Sequence, residues 1–71
     1  MAEIDKRVGE RCRELRKLRQ IKQADLAKAM NITAARLSQL EQGESWSLAM
    51  VAAAADGLRV RVFDMLPDPL A

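Results

Sequence analysis

An all-α fold is predicted by three features of the chain. Apolar residues recur at helical i, i+3/i+4 spacings, as in Leu26, Ala27 and Met30 and again in Leu37 and Leu40. Three pairs, Ile21/Leu26, Ile32/Leu37 and Trp46/Val51, have the N′/N4 spacing of a hydrophobic staple, and each marks a helix start. Aromatic residues make up only 3% of the chain, so Ala, Leu, Met and Val carry the burial, which suits packed short helices better than a sheet.

The first helix is expected to bury a stripe of Ile4, Val8, Cys12, Leu15 and Leu18, with Arg7, Arg11, Arg13 and Lys17 outside it. A second helix begins at Gln23 after Lys22, and Asp25 at N3 is placed to reach back to free N–H groups. Asn31-Ile32 breaks it, because Asn tolerates the left-handed conformation that ends a helix. Thr33 then caps a third helix spanning about 33–42, and Gly43 suits its C′ position. Two packed helices joined by so tight a turn make a helix-turn-helix, whose second helix enters the DNA major groove. A fourth helix, about Leu48 to Asp56, starts at Ser47 and is expected to end at Gly57; it is apolar almost all round. The segment Leu58–Leu66 has two readings. Leu58, Val60 and Val62 alternate with Arg59 and Arg61 like a strand, while Val62, Met65 and Leu66 fit a helical turn, which is favoured. Pro67-Asp68-Pro69 stops it, leaving 67–71 as a frayed tail beyond a core of about 5–66.

At 71 residues the chain reads as one small domain, a size at which dimerisation often supplements a marginal core. The single Cys12 leaves no internal disulfide, fits a reducing cytoplasm, and reads as a buried rather than a reactive thiol. No apolar run approaches the roughly 20 residues of a membrane span, and no signal peptide is visible. The absence of His argues against a transition-metal site, and no cofactor is expected. An enzyme reading fails on ingredients: there is no nucleophile–base pair, Gly-rich phosphate loop or motif of paired carboxylates. The net charge of +2 conceals an asymmetry, with ten Lys/Arg against five Asp/Glu in residues 1–36 and two against five in 37–71. A basic front half is the sign that phosphate contact requires.

These residues together resemble the lambda-repressor/Cro (xenobiotic-response-element) family of helix-turn-helix DNA-binding proteins. The carrying pattern is Gln23, Ala27, Asn31, Ile32, Thr33, Leu37, Leu40 and Glu41-Gln42-Gly43, with Val8–Arg16 similar to the family's first helix and Ser47–Leu66 to its last two. The resemblance implies a compact five-helix domain and a prokaryotic or phage-encoded, cytoplasmic transcriptional regulator. It would bind a near-palindromic double-stranded operator as a homodimer. Base reading carries over to Ala34, Ala35, Ser38 and Gln39, with Arg36 at the edge; Gln39 can pair bidentately with adenine. Phosphate contacts carry over to Gln23, Thr33 and Gln42, with Lys22 beside them, and a structural ion pair to Arg16 and Glu41. The chain departs from the family at Lys22, where Ser or Thr usually caps, and at Ala34 and Ala35, which cannot donate hydrogen bonds. Its loop Glu44–Ser47 is one residue shorter and lacks basic side chains; Trp46 reads as a lid on the core.

Apolar surface without an obvious core role falls at Met50, Ala53, Val62 and Phe63, the expected dimer interface. The competing reading is a protein-interaction module, such as an antitoxin whose apolar C-terminal helices capture a toxin or other partner. A neighbouring toxin gene would favour it.

Overall fold

The computed structural model describes residues 3–67 and contains, in order, α1 (Glu3–Leu18), α2 (Gln23–Ala29), α3 (Ala34–Glu41), α4 (Leu48–Leu58) and α5 (Val62–Met65). No strand is present among the described residues, so the alternation at 58–62 does not become one. Of the expected frayed tail at 67–71, residues 68–71 lie outside the described residues. None of these helices is long and apolar enough to cross a membrane.

One device ends the first four helices. Gln20, Asn31, Gly43 and Arg59 all have positive φ, at 56°, 60°, 104° and 58°. In each case the left-handed residue donates to the carbonyl three back, and the next residue donates to the carbonyl five back, as in Gln20→Lys17 with Ile21→Arg16. This is the Schellman motif, and it satisfies carbonyls the helix would otherwise orphan. Ile21, Ile32 and Val60 follow the left-handed residue and pack against the core, so Ile21 and Ile32 close one helix and staple the next. Thr33 and Ser47 cap α3 and α4 by accepting from the Arg36 and Met50 N–H groups at 3.0 and 3.1 Å. Lys22 makes no side-chain capping bond to α2.

The expected end of α4 at Gly57 is wrong: the helix runs through it and turns at Arg59. Gly57 serves packing instead, because a Cβ there would lie 2.7 Å from Leu26 Cδ1 and 3.2 Å from Ala29 Cβ. Gly9 plays the same part where α1 crosses α3, with its missing Cβ facing the carbonyl oxygens of Leu40 and Glu41. α3 packs between α1 and α2, and α4 rests on α2 with α5 against it. The core comprises Val8, Cys12 and Leu15 of α1; Leu26, Ala27 and Met30; Leu37 and Leu40; and Val51, Ala54, Ala55, Leu58 and Met65. Ile4 and Leu18 do not join it, at 56% and 77% exposed. The expected stripe is thus buried only in its middle, at Val8, Cys12 and Leu15.

Candidate nucleic-acid interface

The core that holds α3 leaves one of its faces bare. Leu37 and Leu40 are fully buried, whereas Ala34, Ala35 and Gln39 are exposed and Ser38 and Arg36 half-buried. The expected base-reading residues thus share the outward face of an eight-residue helix about 12 Å long. Thr33 stands exposed at its start and Gln42 at its end, where Gln42 Nε2 donates to Ser38 Oγ at 3.4 Å. Lys22 is exposed at the neighbouring start of α2. Arg36 Nη1 stands 3.6 Å from Glu44 Oε2, with both side chains about half exposed.

Behind this face lies a polar clamp. Arg16 Nε donates to Glu41 Oε2 at 2.8 Å and Arg16 Nη2 to Glu41 Oε1 at 3.2 Å, a bidentate pair joining α1 to α3. Arg16 Nη1 also donates to the Ile21 carbonyl at 3.1 Å, in the turn before α2. Gln23 Nε2 donates to Glu41 Oε1 at 3.2 Å, so this residue, expected to anchor phosphate, also ties α2 to α3. The side chains of Arg16 and Glu41 are only 13% and 4% exposed, so the pair is nearly desolvated. Arg13, Arg16, Gln23, Ser38, Glu41 and Gln42 line a shallow recess above it. Cys12 beneath the clamp is inert: burial first, then the Glu41 charge, push its thiol up to about 12, against the smaller pull of Arg16.

Trp46 closes the far end, with Nε1 donating to the Leu40 carbonyl at 2.9 Å and its N–H to Asp5 Oδ1 at 2.7 Å. Arg11 Nε holds α5 by donating to the Asp64 carbonyl at 2.9 Å. Asp5, Arg11, Gly9 and Gly57 were not singled out from the sequence as positioning residues. The signal for the glycines was available, since a glycine inside a helical pattern often marks close packing. The polar pair had none, as 41 and 53 residues separate the partners. Of the expected dimer residues, Val62 and Phe63 are 36% and 76% exposed, but Met50 and Ala53 pack partly against the core. The surface beside Phe63 is completed instead by Ile4, Leu66 and Pro67, with the charged Glu3, Arg7, Arg11 and Asp64 among them. No group of three or more His, Cys, Asp or Glu among the described residues is placed to hold a metal ion.

A helix-turn-helix held by buried core residues, with its second helix bare on one side, defines a class of DNA-binding protein. Residues 13–64 match the Helix-turn-helix family model, and the chain belongs to that family, in its lambda-repressor/Cro type. It is a DNA-binding transcriptional regulator. Among solved structures it is similar to the P22 c2 repressor protein in complex with a synthetic operator (TM-score 0.73, 30% identity, 83% of this chain and 91% of that one). The clp gene regulator ClgR of C. glutamicum shares the fold at TM-score 0.85 and 24% identity, over 92% of this chain and 86% of its own. So does the restriction-modification controller protein C.AhdI of Aeromonas hydrophila, at TM-score 0.81 and 24% identity over 86% and 94%. No curated protein matches the sequence.

Proposed function

We propose that the chain is a sequence-specific repressor or autoregulator that inserts residues 33–42 into the major groove of a near-palindromic operator as a homodimer. The observation that carries this is the bare face of α3: Ala34, Ala35 and Gln39 are exposed, beside an α3 stripe, Leu37 and Leu40, that is fully buried. Gln39 is the principal base reader through its amide, Ala34 and Ala35 pack on thymine methyls, and Ser38 and Arg36 complete the readout with sequence-dependent DNA shape. Lys22, Gln23, Thr33 and Gln42 contact phosphates on either side. Random-sequence selection on duplex DNA tests the reading. An enriched motif is expected, with Gln39→Ala losing about 1–3 kcal/mol on it and relaxing preference at one base pair. Selection that enriches nothing at moderate salt overturns it.

The homodimer rests on half-site geometry and on exposed apolar surface. One copy carries a single α3 and so engages only one of two half-sites about 34 Å apart. The surface of Phe63, Val62, Ile4, Leu66 and Pro67 suits a two-fold contact. The same exposure supports a second reading, in which that surface holds a toxin-like partner protein; purified chain that stays monomeric would favour it.

A further inference from the structure

Among the four Schellman ends, three carry an apolar residue after the left-handed position, Ile21, Ile32 and Val60, each packed on the core. An apolar contact is the usual companion of this motif. The end of α3 breaks the pattern with Glu44, which is exposed and charged. Its backbone is nonetheless fixed, because its N–H donates to the Gln39 carbonyl at 3.1 Å. From there its carboxylate reaches the outward face of α3, where Oε2 stands 3.6 Å from Arg36 Nη1, an ion-pair contact between two half-exposed side chains. Arg36 is the only cation on α3 and sits in its first turn, where the helix dipole disfavours positive charge. An acid next to a surface meant for DNA is costly by itself, so a local rule is broken at a functional place.

We propose that Glu44 tunes specificity through Arg36, biasing the guanidinium toward its own side and partly neutralising it. This inference rests on the DNA-binding reading above. A free arginine here would gain from any nearby phosphate, whatever the sequence. A paired one gains less from random phosphates, yet has less rotamer freedom left to lose when it meets the base edge it reads. Glu44 thus lowers affinity for random duplex and sharpens preference at the base pair opposite Arg36.

The test compares wild type, Glu44→Gln, Arg36→Ala and the double variant. The probes are a random-sequence duplex and the operator recovered by selection with wild type. Glu44→Gln is expected to tighten random-duplex binding about twofold to fivefold, the range over which exposed ion pairs couple. Operator affinity should stay level or fall, and repeat selection should show broadened preference at one base pair. In the Arg36→Ala background the same substitution should do markedly less. Equal gains on both probes, or equal gains with and without Arg36, would mean that Glu44 acts only as a charge, and would overturn the proposal alone. A loss of operator affinity that persists without Arg36 would make Glu44 a direct base reader and overturn it too. Wild-type selection that recovers no operator, with no random-duplex binding at about 50 mM salt, removes the DNA-binding reading, and this inference with it.

Discussion

Glu41 is the residue on which three elements converge. It accepts two bonds from Arg16 and one from Gln23, so α1, α2 and α3 share one nearly buried carboxylate. Such a pair adds little net stability over an apolar replacement, but removing one partner strands the other's charge. Glu41→Ala should therefore cost about 3 kcal/mol, read as a fall in the urea midpoint. It should also loosen the seat of α3 beneath its outward face. An unchanged midpoint would show that water already compensates Arg16. Below this clamp, the Cys12 thiol is raised from its ordinary 9.0 to about 12, largely by burial. The unfolded chain loses that proton first, so above about pH 9 it binds fewer protons than the folded one. Stability should accordingly be complete below that pH and decline as pH rises toward 12. Cys12→Ala should flatten this alkaline decline, and a slope that survives the substitution would assign it to other groups.

At the scale of elements, close approach and left-handed ends compete for glycine, and the chain places its glycines unevenly. Gly9 lets α1 lie on the backbone of α3, against oxygen atoms that cannot rotate away. Gly9→Ala should destabilise by about 1–3 kcal/mol, even though alanine is the better helix former. Gly57→Ala should cost less, since the atoms in its way belong to the side chains of Leu26 and Ala29. Arg59, by contrast, occupies a left-handed position that disfavours a side chain. Arg59→Gly should raise the thermal midpoint, gaining up to about 1 kcal/mol. A lower midpoint would reveal a native contact of the arginine that outweighs the strain. The helix starts are built from local parts, Thr33 and Ser47 with their staples, and were readable as such.

For the whole molecule, the proposed sequence-specific reading requires more DNA contact than the single α3 of one copy supplies. Two copies joined away from α3 provide the answer proposed here. Phe63, 76% exposed on the four-residue α5, is the point at which to test it. Phe63→Glu should leave the far-ultraviolet helix signal intact while weakening self-association and operator affinity together. Ala53→Glu is a poorer probe, because Ala53 packs partly against the core and its replacement would disturb folding as well. Sedimentation that finds a monomer at micromolar concentrations with tight operator binding retained would refute the dimer.

The helices, their order and the two-helix motif were legible in the residues because caps, staples and apolar spacing act within one or two turns of chain. The same holds for the outward face of α3, which follows once Leu37 and Leu40 are assigned inward. Arg16 and Glu41 could be paired beforehand only through resemblance, because 25 residues separate them. What only the tertiary structure decided was where helices touch. Gly57 looks like a stop in sequence and proves to be a contact, since local signals cannot distinguish a glycine needed for φ from one needed for space. Ile4 and Leu18 fit the helical stripe yet remain largely in solvent, because periodicity records which side of a helix faces inward and not whether a neighbour covers each position along it. Glu44 beside Arg36 belongs to the same class: their placement depends on how α3 ends and turns, and spacing alone does not carry that geometry.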